Sequence, residues 1–148
     1  IIEINHIIKV IDDLLIEAYA GAAVPNVENG YILTHPCGSL YLEPHGFFDQ
    51  RITDRKLDAV ITPVVNLRLP LAGAFVMGKT ILPELIDGFS PLTVLSSTIG
   101  GDAIFSGFLD RLISMEGSPG EAAKVVGDGV LLLDPELCKR YSLQTHTV

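Results

Sequence analysis

Residues 96–113 read S-S-T-I-G-G-D-A-I-F-S-G-F-L-D-R-L-I. A strand end, a threonine, a glycine pair and an acid lead into an apolar-periodic run, and this spacing suits capture of a small anion. Gly100 and Gly101 let the main chain approach a ligand closely. The N–H groups that open the following helix have no partners inside it and turn toward the same point. Thr98 adds a hydroxyl. Asp102 adds a carboxylate able to take the proton from a hydroxyl attacking a bound phosphoryl group. The function this predicts is a small-molecule enzyme, or a domain derived from one, that binds a phosphate- or carboxylate-bearing metabolite. Phosphoryl transfer is its reaction. Asp102 also has a reading that needs no ligand, because an acid ahead of an apolar-periodic run caps a helix.

The stretch resembles the signature of the ribokinase-like family of sugar and nucleoside kinases, roughly D-T-x-G-A-G-D-x-F-x-x-G-F-L. Thr98, Gly101, Asp102, Gly107, Phe108 and Leu109 coincide with it. A short G-A-hydrophobic-hydrophobic strand lies ahead of that signature in the family, and Gly73-Ala74-Phe75-Val76 stands at a similar distance here. The resemblance covers Gly73 to Ile113. It implies an anion hole at Gly100 and Gly101, a catalytic base at Asp102, and magnesium with a nucleotide as cofactors. The chain departs from the pattern at Ser97 and Ile99, and the sugar-binding half of the family is not in this sequence.

A second string competes for the phosphate. Gly73 to Thr80, G-A-F-V-M-G-K-T, has the letters of the phosphate loop of nucleotide hydrolases, with Lys79 as the ligand-binding cation. Val130 to Glu136, V-L-L-L-D-P-E, has the look of their magnesium-holding strand, ending at Asp134. The flanks argue against a loop. Ala74, Phe75, Val76 and Met77 are bulky or apolar where the backbone would wrap a dianion, and Val76 favours an extended chain. Pro83, four residues past Lys79, would break the helix that must follow, at about 3 kcal/mol. The expectation is therefore a packing strand over Gly73–Met77.

His35, Cys37 and His45 fall within eleven residues, and on a strand His35 and Cys37 would share a face. The spacing fits no standard zinc pattern, so no metal site is assigned. Residues 47–58 mix Asp49, Arg51, Asp54, Arg55, Lys56 and Asp58, and self-paired surface charge is the default there. No nucleophile frame with serine, histidine and aspartate is present.

The bulk properties narrow the partners. A net charge of -8 without a basic run gives no footprint for nucleic acid. Apolar residues make up 48% of the chain and mean hydropathy is +0.42, yet no apolar run is long enough for a membrane span. The surplus points to self-association, and a non-catalytic oligomeric regulatory or assembly domain is the rival reading. Cys37 and Cys138 are far apart with no paired motif, which suits free thiols in a cytoplasmic protein. The 148 residues suit one domain, and a chain starting at Ile1 rather than Met is expected to have residues upstream.

The elements that must position these groups read as α/β or α+β, one compact domain with a central mixed sheet of short strands. Ile4, Ile7, Ile8, Ile11, Leu14, Leu15 and Ala18 recur at helical spacing, predicting an amino-terminal helix that stops at Gly21. Asn29-Gly30 reads as a hairpin turn. Strands are expected at 31–35, 39–44, 58–69, 73–77 and 92–97, with Pro63 at an edge or bulge. A helix from about 103 to 115 follows. Pro119 opens a third helix, and Asp128-Gly129 turns into a last strand. Ser142 to Val148 is expected to fray.

Overall fold

The computed structural model describes residues 7–9, 12–22, 28–52, 54–71, 73–97, 112–136 and 138–146. In chain order the strands are β1 (Ile7–Lys9), β2 (Leu15–Ala20), β3 (Asn29–His35), β4 (Gly38–Leu42), β5 (Ala59–Thr62), β6 (Asn66–Leu69) and β7 (Gly73–Met77). Helix α1 (Gly78–Phe89) comes next, then β8 (Thr93–Ser96), β9 (Ser114–Glu116), α2 (Pro119–Val126) and β10 (Leu131–Leu133). Seven strands form a mixed sheet in the order β1-β2-β3-β4-β5-β8-β10, and β7-β6-β9 form a small second sheet. The α/β class with a central mixed sheet is as expected.

The two halves of the main sheet differ in pairing. From β1 to β4 the strands run antiparallel as a meander, while β4, β5, β8 and β10 are parallel. Composition follows this division. The parallel strands β5 (A-V-I-T) and β8 (T-V-L-S) are short apolar runs, nearly all buried, as strands covered on both faces must be. In β3, by contrast, inward Gly30 and Ile32 alternate with partly exposed neighbours.

Both helices lie on one face. Leu85 and Phe89 of α1 pack on Ile32, Tyr41 and Val60, with the Phe89 and Tyr41 rings 4.9 Å apart. Leu82 joins Ala122 and Val126 of α2 against Val64 and Val94. This packing explains a correction. Pro83 was expected to forbid a helix after Lys79, yet it sits inside α1. A proline in the interior costs about 3 kcal/mol. Burial of Leu82, Leu85 and Phe89, each worth roughly 1.5–3 kcal/mol, outweighs it. Pro83 itself is exposed, so its ring displaces nothing in the core.

Other expectations fail for reasons of long-range pairing. The predicted amino-terminal helix is a hairpin of β1 and β2, turning at Asp12, whose φ is 45°. The stretch is rich in β-branched isoleucine, and six successive residue pairs with β3 from Leu15↔Thr34 to Ala20↔Asn29 outweigh its helical spacing. Asn29-Gly30 is no turn but the start of β3, where a Cβ at Gly30 would lie 2.9 Å from the Tyr41 hydroxyl. Of the helix expected at 103–115, residues 103–111 lie outside the described residues. Ser114 and Met115 belong instead to β9, because β6 offers a free edge that pairs with them through Arg68 and Leu67. Pro63 ends β5, where the chain passes from the large sheet to the small one. α2 starts at Pro119 as expected, with the Ser118 hydroxyl accepting the Glu121 N–H at 3.2 Å, and β10 follows the turn at Asp128-Gly129. Residues 142–146 are irregular but tied down, since the His146 N–H donates to Asp58 at 2.5 Å. Among the described residues no helix is long and apolar enough to cross a membrane.

α1 ends at Ser90, a non-glycine residue held in the left-handed region at φ 46° while its N–H donates to the Ile86 carbonyl. That conformation costs an L-residue about 1 kcal/mol, and Ser90 is exposed. Ser90→Gly is therefore expected to raise the unfolding free energy by about 0.5–1 kcal/mol. A urea midpoint that moves down instead would contradict this account of the helix end.

Candidate functional site

Open α/β sheets hold their ligands at the carboxyl ends of parallel strands. Here that edge carries Glu43 after β4, Thr62 at the end of β5, Ser96 at the end of β8 and Asp134 after β10. Glu43 is fully buried. Its carboxylate accepts the Gly46 N–H at 2.7 Å, the Phe47 N–H at 2.7 Å, the His45 N–H at 3.2 Å and the Thr62 hydroxyl at 2.9 Å. Burial pushes its pKa up, and these four bonds offset only part of that. A carboxylate offers about four lone-pair directions. All are engaged, so Glu43 is an anchor and not a base.

Next to it the situation reverses. Ser96 pairs in register with Thr62 and is 2% exposed, yet its hydroxyl has no hydrogen-bond partner among the described residues. Beyond it Ser97 is exposed and donates its N–H to the Thr62 carbonyl at 3.0 Å. Thr98, Gly100, Gly101 and Asp102 come next in the chain and lie outside the described residues.

The rival phosphate string is closed. Gly73–Met77 is strand β7, as expected, paired antiparallel with β6 and bulged near Arg68, so no loop stands between the two glycines. Three N–H groups at the start of α1 donate to protein groups. Met77 N–H donates to the His45 carbonyl (2.8 Å), Gly78 N–H to the Val65 carbonyl (3.0 Å) and Thr80 N–H to Asn66 Oδ1 (3.2 Å). A Cβ on Gly78 would lie 2.1 Å from the Pro63 oxygen, so main chain fills the place a phosphate would need. Lys79 is partly exposed and lies 2.9 Å from Glu121 and 3.4 Å from Glu116, whose hydrogen bonds and charges raise its pKa.

Of the histidine and cysteine group, His35 and Cys37 come together at the β3–β4 turn, where Cys37 N–H donates to His35 Nδ1 at 3.1 Å. His45 does not join them and instead faces Glu28 at 2.5 Å. Among the described residues no three metal-ligating side chains form a group. Cys37 and Cys138 are free and exposed, as expected. The charged segment 47–58 is more than self-paired surface. Asp49 holds Arg51 and also accepts the Ala20 N–H at 3.0 Å, and Arg55 forks onto Glu17 of β2.

Glu43, Thr62 and Ser96 were not singled out from sequence. The available signal was an acid placed after the alternation of β4 and followed by Pro44 and Gly46, where the backbone turns back onto the carboxylate. Compared with protein-family models, curated proteins and solved structures, the chain matches none.

Two buried carboxylates give opposite pH signatures. Arg51 holds the Asp49 pKa down, from an ordinary 3.8 to about 2, against the effect of burial. Asp49 thus contributes stability above pH 3.8 that is lost as the pH falls toward 2. The Glu43 pKa is raised above its ordinary 4.5, so its contribution is full below that value and declines as the pH rises through the folded-state pKa. In urea titrations from acid to neutral pH, Asp49→Asn is expected to flatten the acid limb. Glu43→Gln should remove the opposing slope and cost about 1–3 kcal/mol at neutral pH. Unchanged slopes in both variants would refute the assignment.

Proposed function

We propose that the chain binds a small phosphate- or carboxylate-bearing metabolite at the carboxyl edge of its parallel strands, where β8 passes into Thr98, Gly100, Gly101 and Asp102. The observation that carries this reading is the position of β8, flanked in parallel by β5 and β10, so that the chain leaves the sheet after Ser96 at the edge where such folds bind ligands, with the glycine pair and the acid next in the sequence. The Ser96 hydroxyl at the same edge, without a partner among the described residues, supports it. The chemistry of these residue types is phosphoryl transfer to a hydroxyl, with Asp102 as base and magnesium and a nucleotide as cofactors. Lys79, beside this edge through Gly78 and Pro63, would reach an anion only by leaving Glu116 and Glu121.

A panel of magnesium nucleotides and sugar phosphates, read by thermal melting, tests the reading. A bound ligand at 100 times its dissociation constant adds about 2.7 kcal/mol. Asp102→Asn is expected to abolish turnover while leaving the unliganded melting temperature in place. A variant that loses about 1 kcal/mol of stability but keeps the ligand shift would reassign Asp102 to a helix cap.

A second reading, a non-catalytic assembly domain, is favoured by the small sheet. Leu71, Phe75, Met77, Leu112 and Met115 expose 37–109% of their surface on or next to it. This reading predicts a dimer or larger species in sedimentation at micromolar protein, converted to monomer by Phe75→Ser with Met115→Ser. A wild-type chain that sediments as a monomer would rule it out.

A further inference from the structure

The face of the central sheet opposite the helices carries a second candidate, independent of the carboxyl edge. Leu33 and Leu40 pair across β3 and β4, one residue out of phase with Ile32 and Tyr41, which face α1. Leu14 and Leu143 complete an apolar wall around a cavity of about 300 Å³. That is the lower end of the range that holds small molecules, with room for about ten water-sized groups at roughly 30 Å³ each.

The polar groups on its rim are not equally available. Ser39 and Asp58 consume one another. The Ser39 hydroxyl donates to Asp58 Oδ2 at 2.9 Å and accepts the Asp58 N–H at 3.1 Å. The carboxylate also takes the Ser39 N–H at 2.6 Å and the His146 N–H at 2.5 Å. Burial raises the Asp58 pKa, but the bonds from His146 and Ser39 prevail and hold it below the usual value, so a fixed negative charge borders the cavity. His35 differs. Its Nδ1 accepts the Cys37 N–H, which in the neutral ring puts the proton on Nε2 and leaves one donor without a partner among the described residues. The Cys37 thiol lies on the same rim and is unpaired.

We propose that this cavity binds a small uncharged molecule with an apolar body and one hydrogen-bond acceptor, such as an aryl or alkyl ketone. The acceptor takes the His35 Nε2–H, and the body lies on Leu33, Leu40 and Leu143. The Asp58 carboxylate turns away anions of the same shape.

The two free thiols give the test. In a Cys138→Ser background Cys37 is the single thiol, and its reaction rate with a disulfide reagent reports occupancy of the rim. Acetophenone is expected to slow that reaction saturably, and benzoate to bind about tenfold more weakly. His35→Ala should weaken acetophenone about fivefold, the worth of one hydrogen bond, and His35→Gln, which keeps a donor, should recover part of the loss. Leu143→Trp, in the irregular carboxy-terminal segment, fills the space without altering a sheet residue and should abolish protection. Protection that does not saturate, equal binding of benzoate, or protection that survives Leu143→Trp would each overturn the proposal.

Discussion

A single carboxylate with no exposure holds the centre of this molecule. Glu43 leaves the end of β4 pointing inward, and the chain folds back so that three successive N–H groups, of His45, Gly46 and Phe47, reach it. Thr62 brings the end of β5 to the same oxygen that Gly46 uses. An unpaired carboxyl at this depth would cost several kcal/mol, so the turn and the carboxylate require one another. The consequence reaches the next sheet. His45, placed by that turn, accepts the Met77 N–H, and Gly46 packs against the Gly78 main chain at the start of α1. The close approach of the two glycines sets where the helix begins, and so which of its faces lies on the main sheet.

Other acids act in the same way around the irregular segments. Asp49 ties residues 49–51 to the end of β2, Arg55 ties the following residues to Glu17 in the middle of that strand, and Asp58 joins the β4 edge to the carboxy-terminal segment. Glu17, Glu43, Asp49 and Asp58 are all buried. Four of the eighteen acids are thus engaged inside by N–H groups, hydroxyls and guanidinium ions.

The architecture leaves two different environments on one sheet. At the carboxyl edge β4, β5 and β8 end in the buried oxygen-bearing side chains of Glu43, Thr62 and Ser96. On the helix-free face, leucines from four segments surround a small space bordered by a fixed negative charge. The helix start that carries the phosphate-loop letters is neither of these. Its N–H groups are occupied by Val65, His45 and Asn66, and its lysine by two glutamates.

Several elements were legible from local order alone. Short apolar runs bounded by glycine and proline gave away β4, β7 and β8, while the run expected over 58–69 is split at Pro63 into the central β5 and β6 of the second sheet. Pro119 marked the start of α2, because strand length, turn chemistry and caps depend on neighbours a few residues apart. The buried residues at the carboxyl edge, Glu43, Thr62 and Ser96, were not legible at all. Nothing near Glu43 in sequence shows that Thr62 will meet it, and nothing in G-K-T shows that Glu116 and Glu121 will hold the lysine. The isoleucine-rich start carried a helical period that pairing with β3 overrode, and Pro83 looked prohibitive until the burial of three large side chains was set against it. Local chemistry therefore determined which segments could be strands or turns. The tertiary structure decided which of two allowed conformations prevailed and which charges became internal, since both depend on contacts tens of residues apart that no local pattern encodes.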